Sequence, residues 1–225
     1  MNKKKIVLSF DPKSIFFGMV CGLILGYLVT LSYSSPEKQD KTNIGSLPEG
    51  HPPLEEGSEA GMPILDEATA QQMNEYKQEL DSWKARWEED HANWMAALKV
   101  ADMYYEVQFY DRSIPWYQKS LEHNNVRETR NDMAFAQFMA GISKRQSGSF
   151  EDSDIFIADS INTLESLLED YPDYPTAWLT YGFVMVNTGK ADIAKDAFSK
   201  CSELDPLGPV GDEARAFLEQ IKNNG

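Results

Sequence analysis

The side chains that could do chemistry are three His, two Cys and 36 Asp and Glu. None is spaced for it. His51 lies in Leu-Pro-Glu-Gly-His-Pro-Pro-Leu with no second donor at metal-ligand spacing. A metal- or haem-handling role through His51 is therefore a rival idea resting on one residue. His91 and His123 fall in linker or inter-helix positions. Cys21 lies in an apolar run and Cys201 on a helix face, so no disulfide is expected. No Cys-x-x-Cys, glycine-rich phosphate loop or supported Ser/His/Asp set occurs. The acidic pairs Glu88-Glu89 and Glu169-Asp170 read as solvated helix ends. The expectation is a chain that is not an enzyme, with no cofactor, no bound metal and no small-molecule substrate.

The formal net charge is −15. Up to Ser35, Lys3, Lys4, Lys5 and Lys13 outweigh Asp11, net +3, so the remainder carries −18. Nucleic acid demands a basic face, so it is not an expected partner. Aromatic residues at 12% are ample for a packed core.

The stretch that must organise the rest is Pro175 to Pro206. Trp178, Tyr181 and Met185 recur three and four apart, on one face of a helix. Gly182 stands where two helices must approach closely. Gly189 ends the first helix, as a residue tolerant of positive φ should. Ala194, Phe198 and Cys201 form the facing stripe of a second helix, and Pro206 stops it.

In one register these positions resemble a tetratricopeptide (TPR) repeat, with Met185 for the usual aromatic and Cys201 for the usual alanine. The resemblance implies an all-α fold, an α-solenoid of about three helix pairs, because one such unit cannot bury its own faces. Trp94 to Arg127 reads as a weaker first repeat (94–127), with Val100 and Ala101 at the large-small pair, Gln108 in place of the turn glycine and Pro115 in the first turn of the second helix. Residues 128–172 read as an enlarged second repeat. There Met133, Ala134 and Gly141 hold first-helix positions and Ser160, Leu164 and Leu167 second-helix positions. About 14 extra residues within 142–157 are expected as a loop around Ser147-Gly148-Ser149. The third repeat spans 175–208.

Before the repeats, Met73, Tyr76, Leu80, Trp83 and Trp87 make an apolar stripe on an opening helix that begins near Asp66. It is expected to cover the flank of the first repeat. After them, Ala214, Phe217, Leu218 and Ile221 mark an end helix over 209–223. The helical domain is thus 66–225.

The amino terminus is a different kind of chain. Residues 1–13 are short and basic. Ile15 to Tyr33 gives 19 residues without a charge, long enough at about 1.5 Å per residue to cross a hydrocarbon core of roughly 30 Å. A transmembrane helix is expected over 14–33, with the lysines cytoplasmic and the helical domain periplasmic, at a bacterial inner membrane. A cleaved signal peptide is the alternative. Gly18, Gly22 and Gly26 recur every fourth residue and would let another membrane helix pack closely. Residues 34–65, with Pro36, Pro48, Pro52, Pro53 and Pro63, read as a disordered tether.

TPR proteins bind peptides or helices along the face lined by the first helix of each pair. Carrying those positions across, the resemblance implies a groove of Met95, Leu98, Asp102 and Tyr105, then Glu128, Asn131, Phe135 and Phe138, then Thr176, Leu179, Phe183 and Val186. Its charges are acidic, so it departs from the basic clamp that some family members use on a terminal carboxylate. An apolar or aromatic protein segment is the partner implied, unless neighbouring helices cover the groove aromatics. The chain also resembles anchored bacterial TPR proteins, including those that mature c-type cytochromes by holding unfolded apoproteins. A scaffold or assembly adaptor is the function this implies. A permanent subunit of a membrane complex is the alternative.

Overall fold

The computed structural model describes residues 67–224. Among these, every regular element is helical: α1 Glu67–Glu89, α2 Trp94–Glu106, α3 Tyr110–His123, α4 Arg127–Gln146, α5 Phe150–Asp170, α6 Pro175–Asn187, α7 Ala191–Leu204 and α8 Pro209–Asn224. The pairs α2/α3, α4/α5 and α6/α7 fall where three repeats are expected, with α1 opening and α8 closing the series. The expected membrane helix with Gly18, Gly22 and Gly26, the tether, Cys21 and His51 lie outside the described residues. Within the described residues no helix is long and apolar enough to cross a membrane.

Three turns of one design join the pairs. Gln108, Gly148 and Gly189 take positive φ values of 62°, 84° and 79°. Their N–H groups donate to the carbonyls of Tyr105, Arg145 and Val186. The next residues, Phe109, Ser149 and Lys190, donate to Tyr104, Lys144 and Met185. Each turn thus satisfies the orphan carbonyls of the helix it ends, and one left-handed residue makes that possible. Gln108 is a side-chain-bearing residue in a glycine's conformation. Gln108→Gly is expected to raise stability by roughly 1 kcal/mol. Urea denaturation of the two forms checks this, and an unchanged midpoint contradicts it.

The same turns give a common internal ruler. Seven residues before them stand Ala101, Gly141 and Gly182, and nine after stand Tyr117, Ile157 and Phe198. A Cβ added to Gly182 would meet the Phe198 ring at 2.6 Å, and one added to Gly141 would meet the Ile157 side chain at 2.7 Å. The close approach expected at Gly182 is therefore present, and it recurs at Gly141.

This corrects the reading of the second repeat. Residues 142–157 are not a loop. Helices α4 and α5 have 20 and 21 residues, against 13 and 14 in each of the other pairs. Seven extra residues per helix are close to two full turns, so every face keeps its direction. Only Ser147 to Ser149 breaks the helix, because Gly148 alone supplies a left-handed residue. Arg145 and Asp154, paired at 2.7 Å, tie the two legs. Within the pair, Ala140-Gly141 rather than Met133-Ala134 marks the contact equivalent to Gly182, seven residues along the same face. Between pairs the earlier register holds, since Phe135 and Phe183 meet at 5.9 Å.

Pro115 also lies deeper than expected, at the sixth residue of α3. Having no N–H, it leaves the Asp111 carbonyl without its helical donor.

Helix α1 seals the first pair as expected. Leu80 is buried with Val100, Met103 and Tyr104, and Tyr76 and Trp83 pack around them. The Tyr76 hydroxyl donates to the Met103 carbonyl at 2.7 Å, and Lys84 Nζ donates to the Tyr104 hydroxyl at 2.7 Å. Trp87 meets Trp116 edge-on at 5.3 Å. Lys119 Nζ stands 3.9 Å from both ring centres, a cation held between two indoles. Met73 departs from the stripe and is exposed.

At the other end, the Asp205 carboxylate accepts from the N–H groups of Val210 and Gly211, each at 3.1 Å. The side chain of one helix's C-cap thus caps the start of the next, α8. Phe217 of α8 then stacks on Phe198 at 4.9 Å.

Candidate protein-binding face

The expected groove residues lie on α2, α4 and α6, but they do not form one open surface. Phe135, Phe138, Leu179 and Phe183 are no more than 2% exposed. Asp102 and Asn131 are buried as well. Phe135 touches Tyr105, Phe135 and Phe138 both touch Phe183, and Phe183 touches Phe217. The groove aromatics are therefore the joints between successive pairs. The physical reason is the short array. Each first helix is flanked by its neighbours, and α8 covers the last one.

Met95 and Glu128 remain exposed, and Leu98, Tyr105, Thr176 and Val186 are half-buried. The face they leave is acidic and aromatic. The Asp102 carboxylate accepts from the Tyr117 hydroxyl at 3.2 Å. Burial pushes the Tyr117 phenol well above its usual range, and the nearby charges of Asp132 and Asp102 push it further. Tyr105 packs against Tyr110 and Tyr117 with centroids 5.4 and 6.5 Å apart. Arg127 Nε donates to Glu128 at 2.9 Å, and the same guanidinium lies 4.6 Å over the Tyr174 ring. Asn131 keeps a buried side-chain oxygen with no hydrogen-bond partner among the described residues.

Three of these residues, Arg127, Asp132 and Tyr174, are not groove positions by repeat register. Tyr174 sits in the connection before α6, where no periodic pattern reaches. Asp132 follows a groove position, and only a helical wheel centred on Glu128 would have drawn it in.

Within the described residues, no group of three or more His, Cys, Asp and Glu is placed to hold a metal ion. Cys201 is fully buried among helices, and burial foremost pushes its thiol up to about 12.

No protein-family description matches the sequence, and no curated protein does. Solved structures do. A thermophilic TPR protein of Thermus thermophilus, TTC0263, is similar over 70% of this chain and 78% of its own, with 14% identity and a TM-score of 0.53. The crystal structure of MamA aligns over 71% of this chain and 94% of its own, at 17% identity and a TM-score of 0.48. The fold is that of a TPR solenoid.

Proposed function

We propose that this chain is a protein-interaction scaffold that holds a segment of another protein along α2, α4 and α6. The observation that carries it is the part of the first-helix face that stays open, with Met95 and Glu128 exposed and Leu98 and Tyr105 half-buried. Asp102 and Asn131 on the same helices are buried. That set suits a segment offering backbone N–H groups and basic or aromatic side chains, not one ending in a carboxylate.

The finer reading adds the amino-terminal sequence. An uncharged run at 15–33 and lysines before it favour a single-pass anchor with the scaffold in the periplasm. The partner is then a membrane or exported protein, of which an unfolded apocytochrome awaiting haem is one kind. The glycine spacing at Gly18, Gly22 and Gly26 favours a second reading, a constitutive subunit docked through its membrane helix. Native mass analysis after mild detergent extraction separates the two, since a subunit keeps fixed stoichiometry and an adaptor does not.

The test of the face is Glu128→Lys in the full chain. The side chain is exposed, so stability shifts by no more than about 0.5 kcal/mol. Affinity for a co-purified partner, or for the partner segment mapped by cross-linking, falls at least about tenfold, the equivalent of about 1.4 kcal/mol. Unchanged affinity removes this face from the binding site.

A further inference from the structure

Where α5 hands over to α6, three aromatic side chains stay partly open to water. Tyr171, Trp178 and Tyr181 pack around the buried Leu167, Leu168 and Ala177, and all three are half-buried. Trp178 Nε1 donates to the Pro172 carbonyl at 2.9 Å, and the Tyr181 hydroxyl donates to the Glu165 carboxylate at 3.0 Å. The two rings stand edge to face with centroids 6.4 Å apart. Their polar tips are bonded, so both rings are held in place while part of each surface meets solvent. None of the three is a groove position of the face on α2, α4 and α6.

The helix beside this ridge has a charge unlike any other. Helix α5 carries seven carboxylates and no base. The other seven helices together carry 18 acidic and 14 basic residues. Seven of the eleven net negative charges on the helices thus sit on α5. A surface that serves solubility mixes both signs, and this one does not. Arg145 neutralises Asp154, and Arg130 neutralises Asp170. The other five carboxylates of α5 face no base at ion-pair distance among the described residues. Glu165 and Glu169 stand four apart, a spacing at which like charges repel on a helix.

We propose that the aromatic ridge and the exposed face of α5 beside it dock a basic amphipathic helix from a partner protein. Lysine or arginine heads lie over the Trp178 and Tyr181 rings and against Glu165 and Glu169, where ring and carboxylate both attract a cation. Further bases follow the carboxylates along α5, which is about 30 Å long. The same carboxylates repel a nucleic acid or an anionic bilayer. This surface is separate from the face on α2, α4 and α6, so its failure would leave that reading standing.

The full chain is immobilised through its carboxyl terminus and titrated with a synthetic peptide of leucine, alanine and lysine, patterned as a basic amphipathic helix about 30 Å long. Asp159→Lys with Glu169→Lys tests α5. Glu75→Lys with Glu219→Lys makes the same change of net charge on α1 and α8. All four side chains are exposed, so melting temperatures stay within about 3 °C of the parent. The α5 pair is expected to weaken binding at least about tenfold, and the control pair less than about threefold, at about 50 mM salt. Trp178→Leu keeps apolar bulk, removes the ring and is expected to weaken binding by about threefold. Equal losses from the two charge pairs would mean that the peptide senses only net charge, and the proposal fails. It fails equally if the parent chain does not bind the peptide, or if a folded Trp178→Leu form binds it as well as the parent.

Discussion

Phe183→Ala is expected to cost about 3–5 kcal/mol of stability, the range for removing a large aromatic from a core that cannot collapse around the hole. The residue is 1% exposed. Its ring meets Phe135 at 5.9 Å, Phe138 at 5.7 Å and Phe217 at 6.1 Å. These contacts come from α4 on one side and α8 on the other, so one truncation loosens two interfaces. Relaxation in α6 cannot fill both. In a domain this size the loss lowers the melting temperature by roughly 10 °C or more. Urea denaturation gives the free energy directly. A role for Phe183 as an exposed anchor for a partner predicts the reverse, with affinity lost and stability kept. A cost below about 1 kcal/mol would contradict the buried joint described here.

The contrast shows what sequence can and cannot carry in a repeat array. Trp178, Gly182, Gly189, Ala194, Phe198 and Cys201 were legible because each answers to a local rule, one helix face or one turn. Gly189 does take positive φ, and Ala194, Phe198 and Cys201 are fully buried. The opening and closing helices were legible for the same reason, as apolar stripes of helical period. Phe135 and Phe183 were placed on the correct helices and even in the register at which they meet. Their burial stood in the sequence only as one of two alternatives, because the choice depends on which helix lies alongside, and α8 reaches Phe183 from more than 30 residues away in sequence. The second repeat failed at a different point. Two turns added to each helix leave the apolar period intact, so period alone could not tell a longer helix from a shifted one followed by a loop. Only the left-handed Gly148 fixes the end of α4. Within the candidate face, Asp102 and Asn131 were named for their position, while the Tyr117 bond and the unfilled amide needed coordinates.

Gly182→Val tests the opposite failure, too much volume in place of too little, and its expected cost is about 3 kcal/mol or slightly more. A Cβ at this position lies 2.6, 2.7 and 3.0 Å from three carbons of the Phe198 ring. That ring is fully buried and stacked at 17° on Phe217, so it has nowhere to swing. Relief must come from parting α6 and α7. Gly182→Ala sets the two effects against each other. Helix propensity favours alanine by about 1 kcal/mol. The collision costs roughly 1–3 kcal/mol, so the net is a smaller loss than for valine. Gly189→Ala is the control. Nothing lies within 4 Å of its added Cβ, and only the positive φ of 79° resists it, at about 1 kcal/mol. The contact itself is isolated by Gly182→Ala with Phe198→Leu. The slimmer leucine makes room, so the double variant loses less than the sum of the two singles, by at least about 0.5 kcal/mol. Strict additivity, or a Gly182→Ala form more stable than the parent, would mean that α6 and α7 do not meet where Gly182 faces Phe198.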